Sequence, residues 1–171
     1  MIKFYKVSFE QYLKDFRNCN PLSTLSDDEI RKIYNNIKLP KRATKGSAGY
    51  DIFSPQTFEL KEDDLPQTIP LGIKAEMPEN VFLMIVPRSG IGFKTGSRLA
   101  NTVGIIDSDY FNAVTNEGHI MVKFMPGFKD ASFVEGKALA QGIFLNYLTT
   151  DDDEAGENRI GGFGSTSNQQ Q

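Results

Sequence analysis

The chain has 171 residues, 39% hydrophobic, with a formal net charge of -3, which suits one domain with a sizeable core and a small appendage. That mild acidity excludes a general nucleic-acid surface, where a basic stripe is expected. Apolar runs all fall short of the ~20 residues a spanning helix needs, and Met1-Ile2-Lys3-Phe4-Tyr5-Lys6 lacks the apolar core of a signal peptide.

The first segment reads as helical. Ser8-x-x-Gln11 is a capping-box pattern, and Phe9, Tyr12, Leu13 and Phe16 recur at helical spacing. The Asn20-Pro21 pair breaks it, and a second box, Ser26-x-x-Glu29, opens a helix with Ile30, Ile33, Tyr34 and Ile37 on one face. Both helices are expected to pack on the main body. Cys19, the single cysteine, cannot close an internal disulfide and has no metal-ligand spacing around it. The expected setting is a reducing cytoplasm, without nucleic-acid or membrane partners.

From Leu39 onward the apolar residues fall into short runs bounded by Pro, Gly and other turn signals. Strands are expected at 50–54, 57–60, 67–69, 71–76, 81–86, 102–106, 119–125 and 141–148. In 119–125 the alternation sends Ile120, Val122 and Phe124 to one face, leaving His119, Met121 and Lys123 on the other. The run 81–86 is apolar on both faces, so a second layer or a neighbouring subunit should cover it. Many short, closely spaced strands imply a mainly β sandwich or barrel. The division is then a helical extension over 1–38, a β-domain over 39–150 and a flexible arm over 151–171, entered through the acidic stretch 151–157.

The stretch 87–110, PRSGIGFKTGSRLANTVGIIDSDY, carries most of the chemistry. Arg88, Ser89 and Gly90 offer a cation, a hydroxyl and unobstructed backbone N–H groups, which suit a polyphosphate. Asp107, Asp109 and Tyr110 follow an apolar run, a fitting place for a general base beside a ring-shaped ligand. Three further segments have chemical content. Gly46-Ser47-Ala48-Gly49-Tyr50-Asp51 is small and flexible before a strand, and 136–141 places the Gln141 amide at the head of a strand. The arm sets Arg159, Phe163, Gly164, Ser165 and Thr166 among glycines.

In this order, GSAGYD, PRSGIG, NTVGIIDSDY, GKALAQ and GGFGST resemble the five motifs of the trimeric dUTPase family. The resemblance implies a jelly-roll β-barrel or sandwich, here with a small N-terminal helical extension, assembled into a homotrimer with sites at subunit interfaces. It implies hydrolysis of dUTP to dUMP and pyrophosphate, with Asp107 activating the water that attacks the α-phosphorus. Arg88, Ser89, Gly90 and Gln141 would bind phosphates, and Arg159, Ser165 and Thr166, with Gly164, would close over them. Asn101, Gly104, Ile105, Ile106 and Met121 would hold uracil, Tyr110 would lie under the deoxyribose, and Phe163 would stack on the base. Mg2+ would be carried mainly by the triphosphate, with no protein metal ligand, and Asp51 would act on it through water or on the local fold. The chain departs from the family pattern in the long FNAVTNEG link after Tyr110, in Lys137-Ala138, and in the short Arg159-to-Gly161 spacing. His119 matches no catalytic position and reads as an ordinary strand residue. The alternatives are dCTP deamination on the same fold, or a dUTPase-like regulatory protein that binds a repressor through its N-terminal helices.

Overall fold

The computed structural model describes residues 1–155. Two amphipathic helices, α1 (Phe9–Cys19) and α2 (Asp27–Asn36), follow a first strand, β1 (Lys3–Lys6). The β body then runs β2 (Lys41–Arg42), β3 (Tyr50–Phe53), β4 (Phe58–Leu60), β5 (Gln67–Pro70), β6 (Ile73–Glu76) and β7 (Val81–Pro87). A short helix, α3 (Ser89–Thr95), leads to β8 (Arg98–Leu99), β9 (Gly104–Ile106), β10 (Met121–Met125), β11 (Ala131–Phe133) and β12 (Ala138–Asn146).

Strands β2-β3-β12-β7-β9 form the largest sheet, and β5-β10-β8 the next, with β1-β6 and β11-β4 as two-stranded ribbons. The fold is mainly β and of the jelly-roll type expected. Alternation along β10 buries Val122 and Phe124, and along β7 it buries Val81, Leu83 and Ile85. Their buried faces share one hydrophobic cluster with Ile52, Ile69, Leu99 and, from the helices, Tyr12, Phe16 and Ile30. Each such large side chain contributes about 1.5–3 kcal/mol through burial. Phe82, Met84 and Val86, on the opposite face of β7, are only half-buried. Among the described residues, no helix is long and apolar enough to cross a membrane.

Three local expectations are corrected. The PRSGIG segment, expected only as a source of unobstructed backbone N–H groups, opens a helix, because Ile91 and Gly92 N–H both bond back to the Arg88 carbonyl. The N-terminal residues 3–6 form a strand, pairing antiparallel with β6 from Lys3↔Glu76 to Lys6↔Ile73. His119 is a fully buried hub outside β10, not an ordinary strand residue. Its Nε2 accepts from Gly72 N–H at 2.7 Å, so Nδ1 carries the proton and donates to Asp15 of α1 at 2.5 Å. Gly72 occupies the left-handed region (φ +69°), and a side chain there would collide with Ile37 and Tyr12.

The capping boxes also differ. Ser26 and Glu29 form the reciprocal pair at α2. At α1, Ser8 Oγ accepts from Gln11 N–H, but Gln11 turns its amide to Asp15 at 2.7 Å. The reciprocal acceptor is Glu117, 109 residues away, which takes Ser8 N–H at 2.9 Å and the Ser8 hydroxyl at 2.5 Å. Glu117 lies in the long link after Tyr110, where Asn112, Glu117 and Gly118 adopt positive φ. That link is therefore an ordered turn docked on the start of α1.

Burial opposes ionisation of Asp15 and Glu117. It is outweighed at Asp15 by hydrogen bonds from His119 and Gln11, and at Glu117 by Ser8 and then Lys74. Both carboxyls are held below their ordinary values, so the stability they contribute is present above those values and is lost as pH falls through the lowered ones. Urea midpoints should therefore drop between about pH 5 and pH 3, less steeply in Asp15→Asn and Glu117→Gln; identical slopes would contradict this. At neutral pH, Glu117→Ala should cost about 1 kcal/mol, as loss of a helix cap does.

Candidate functional site

The site begins where β9 pairs with the middle of β7, aligning Gly104, Ile105 and Ile106 with Ile85, Met84 and Leu83. Gly104 permits this approach, since a Cβ there would stand 3.2 Å from the Ile85 Cβ. A tight turn precedes β9, with Thr102 at φ 67° and Val103 N–H bonded to the Asn101 carbonyl at 2.7 Å. Asp107 follows β9 and precedes a 3-10 turn over Ser108–Tyr110, its carbonyl accepting from Tyr110 N–H at 3.2 Å.

Tyr110 is buried. Its hydroxyl donates to the His119 carbonyl at 2.8 Å and accepts from Asn116 Nδ2 at 2.6 Å. Its ring is thereby fixed in the wall of an open cleft of about 1160 Å³. The same cleft brings together Asn101, Gly104, Ile105, Ile106, Asp107 and Met121. Seven of the residues expected from sequence thus share one concavity, of a size that suits a small-molecule ligand. A second recess of about 580 Å³, lined by Glu79, Phe82 and Tyr147, also reaches Ile105 and Asp107. Asp107 therefore borders both hollows.

Arg88, Ser89, Gly90 and Gln141 do not line that cleft. Arg88 follows the far end of β7 and caps α3, whose first-turn N–H groups belong to Ser89 and Gly90. Gln141 on β12 pairs with Asp51 and with Val86, and its side chain fills the space that a Cβ on Gly49 would need. Asp51 lies 3.7 Å from the Arg88 guanidinium. Half-exposed, this pair is worth at most about 1 kcal/mol. Because Ile106 aligns with Leu83, Asp107 falls roughly opposite Phe82, about six residues or ~20 Å from Arg88 along β7. Within one chain, the Arg88 segment and the Asp107 cleft are therefore separate. Arg159, Phe163, Gly164, Ser165 and Thr166 lie outside the described residues.

Among the parts of the cleft wall that escaped the sequence reading are the loop contributing Asp63, Asp64, Leu65 and Pro66, and α1, through Asp15, Asn18 and Cys19. A signal existed for α1: Asp15 sits in the stripe of Tyr12, Phe16 and Cys19, and a carboxylate there implies a buried partner. Burial, with Asp15 next, pushes the Cys19 thiol up to about 11, so it stays protonated at neutral pH.

The dUTPase family model matches residues 35–167. A deoxyuridine 5'-triphosphate nucleotidohydrolase of Lactococcus lactis is 41% identical over 144 residues, covering 81% of this chain and 95% of its own. The chain belongs to the dUTPase family. A relative of the same description in Dictyoglomus turgidum is 35% identical over 147 residues, covering 80% of this chain and 95% of its own. The crystal structure of a Streptococcus mutans dUTPase superposes with a TM-score of 0.61 at 35% identity, over 68% of this chain and 91% of that one. The dUTPase of Staphylococcus aureus phage phi11 shares the fold at 18% identity, with a TM-score of 0.60 over 92% of this chain and 97% of its own.

Gly90 offers a test of whether α3 takes part in the site. A Cβ there would meet nothing within this chain, so Gly90→Ala should leave stability unchanged or raised by up to about 1 kcal/mol, as Gly to Ala in a helix does. The value of kcat/KM for dUTP should nonetheless fall at least about tenfold if phosphate approaches the Gly90 backbone. Normal kinetics in the variant would remove α3 from the site.

Proposed function

We propose that this chain hydrolyses dUTP to dUMP and pyrophosphate, in a homotrimer whose sites form between subunits. The observation that carries the mechanism is the position of Asp107, directly after the paired β9 and at the edge of a nucleoside-sized cleft. Asn101, Gly104, Ile105, Ile106 and Met121 hold uracil in that cleft, largely through the β9 backbone, whose close pairing with β7 leaves little freedom to admit a 5-methyl group. Tyr110, with its ring fixed by two hydrogen bonds, packs under the deoxyribose and leaves no room for a 2′-hydroxyl.

Asp107 takes a proton from a water whose oxygen attacks the α-phosphorus. The bond from that phosphorus to the bridging oxygen of the β-phosphate breaks, and pyrophosphate leaves. Such a base contributes about 10²–10⁴-fold; the rest comes from aligning and neutralising the triphosphate. Arg88, Ser89, Gly90 and Gln141 supply that function from a second subunit, because within one chain they stand ~20 Å from Asp107. The arm residues Arg159, Phe163, Gly164, Ser165 and Thr166 close over base and phosphates. Among the described residues, no group of three His, Cys, Asp or Glu side chains is placed to hold an ion. Mg2+ would be carried mainly by phosphate oxygens and water, where it would neutralise charge on the triphosphate. Asp51, engaged with Arg88, acts on the local fold.

Asp107→Asn should lower kcat for dUTP by at least about 10²-fold while dUMP still binds; near-normal turnover would remove Asp107 from the mechanism. Chains bearing Arg88→Ala and chains bearing Asp107→Asn, unfolded and refolded together, should recover pyrophosphate release that neither shows alone. Mixed oligomers that form, as checked by tagged pull-down, yet remain inactive would overturn the shared site.

A further inference from the structure

Resting on the reading of the large cleft as the nucleotide site, we propose that helix α1 is a working wall of that site. Asn18 is its contact to the pyrimidine nucleoside, and Asp15 is the positioning residue that latches the helix in place. Helix α1 lies wholly outside the residues matched by the family model, 35–167. Yet Asp15, Asn18 and Cys19 share the cleft with Asn101, Tyr110 and Met121. Their spacing of three and four residues puts them on one face of the helix.

The helix is fixed against the segment that carries Tyr110 and Met121 at several points along its length. At its start, Ser8 is held by Glu117. In its middle, the Asp15 carboxylate accepts from His119 Nδ1 at 2.5 Å, and the His119 carbonyl in turn accepts the Tyr110 hydroxyl at 2.8 Å. At its end, Cys19 Sγ lies 3.9 Å from Met121 Sδ. Asp15 is buried and Cys19 half-buried, with their polar atoms directed to these partners. Asn18, between them, is exposed at the cleft. Its carboxamide presents one acceptor and a pair of donor hydrogens, the complement of the carbonyl and imide groups of a uracil.

The test uses the full-length protein, with dUTP kinetics and dUMP titration as readouts. Asn18→Ala should raise KM for dUTP and Kd for dUMP about three- to tenfold, the loss of one hydrogen bond, with kcat changed less than about twofold. Asn18→Trp, which obstructs the cleft, should raise both further. Asp15→Ala should lower the preference for dUTP over UTP, since Tyr110 then loses its anchored carbonyl, and Asp15→Asn should restore it, because an amide oxygen still accepts from Nδ1–H. If Asp15→Ala fails to fold, the two Asn18 variants, at an exposed position, still decide. Unchanged KM and Kd in both, with normal Tm and oligomer mass, would overturn the role of α1. If Asp107→Asn is inactive while the Asn18 variants are normal, only α1 leaves the site; if Asp107→Asn is active, the nucleotide reading itself fails.

Discussion

The pairing of β9 with β7 is the constraint on which the site depends. Ladder hydrogen bonds fix Ile106 opposite Leu83, and because strand residues rise about 3.3 Å each, the register sets where Asp107 emerges relative to Arg88. A one-residue slip of β9 would exchange its partly buried Gly104 and Ile106 with the exposed Ile105, so burial favours this register. Within one chain, that register keeps Asp107 well away from Arg88 along β7. In the proposed homotrimer, a neighbouring copy would cover the half-buried apolar face of Phe82, Met84 and Val86.

The other organising contact is His119. Its ring joins α1 to the turn at Gly72, and its backbone carbonyl fixes Tyr110. One buried imidazole thus ties an N-terminal helix to the segment read as recognising the sugar. This arrangement is economical because both ring nitrogens are used in a single tautomer, which fixes the ring's orientation. The long link after Tyr110 serves the same end, since Glu117 caps α1 from more than a hundred residues away.

Much of the fold was legible. The helical spacing of Phe9, Tyr12 and Phe16, the reciprocal box at Ser26 and Glu29, and the alternation of Ile120, Val122 and Phe124 each reflect local periodicity that one buried face imposes. The ordered motifs led to the family, and seven of their residues do meet in one cleft. Short strands such as β1, β2, β8 and β11 were not legible, because two to four residues carry too little periodicity and are specified by their partners. The helix at Ser89–Thr95 was hidden by its glycines, which read as loop residues, although bonds to the Arg88 carbonyl hold the turn.

The sequence by itself determined what is set by residue type and spacing: a mainly β chain, two capped amphipathic helices, and the chemical groups for binding and hydrolysing a nucleoside triphosphate. Only the tertiary structure decided which of those groups face one another. Asp15 meeting His119, Glu117 meeting Ser8, and Arg88 parting from Asp107 all involve residues far apart in the chain or divided by the length of a strand. Local pattern cannot encode such meetings, because they follow from burial of the shared core and from strand register.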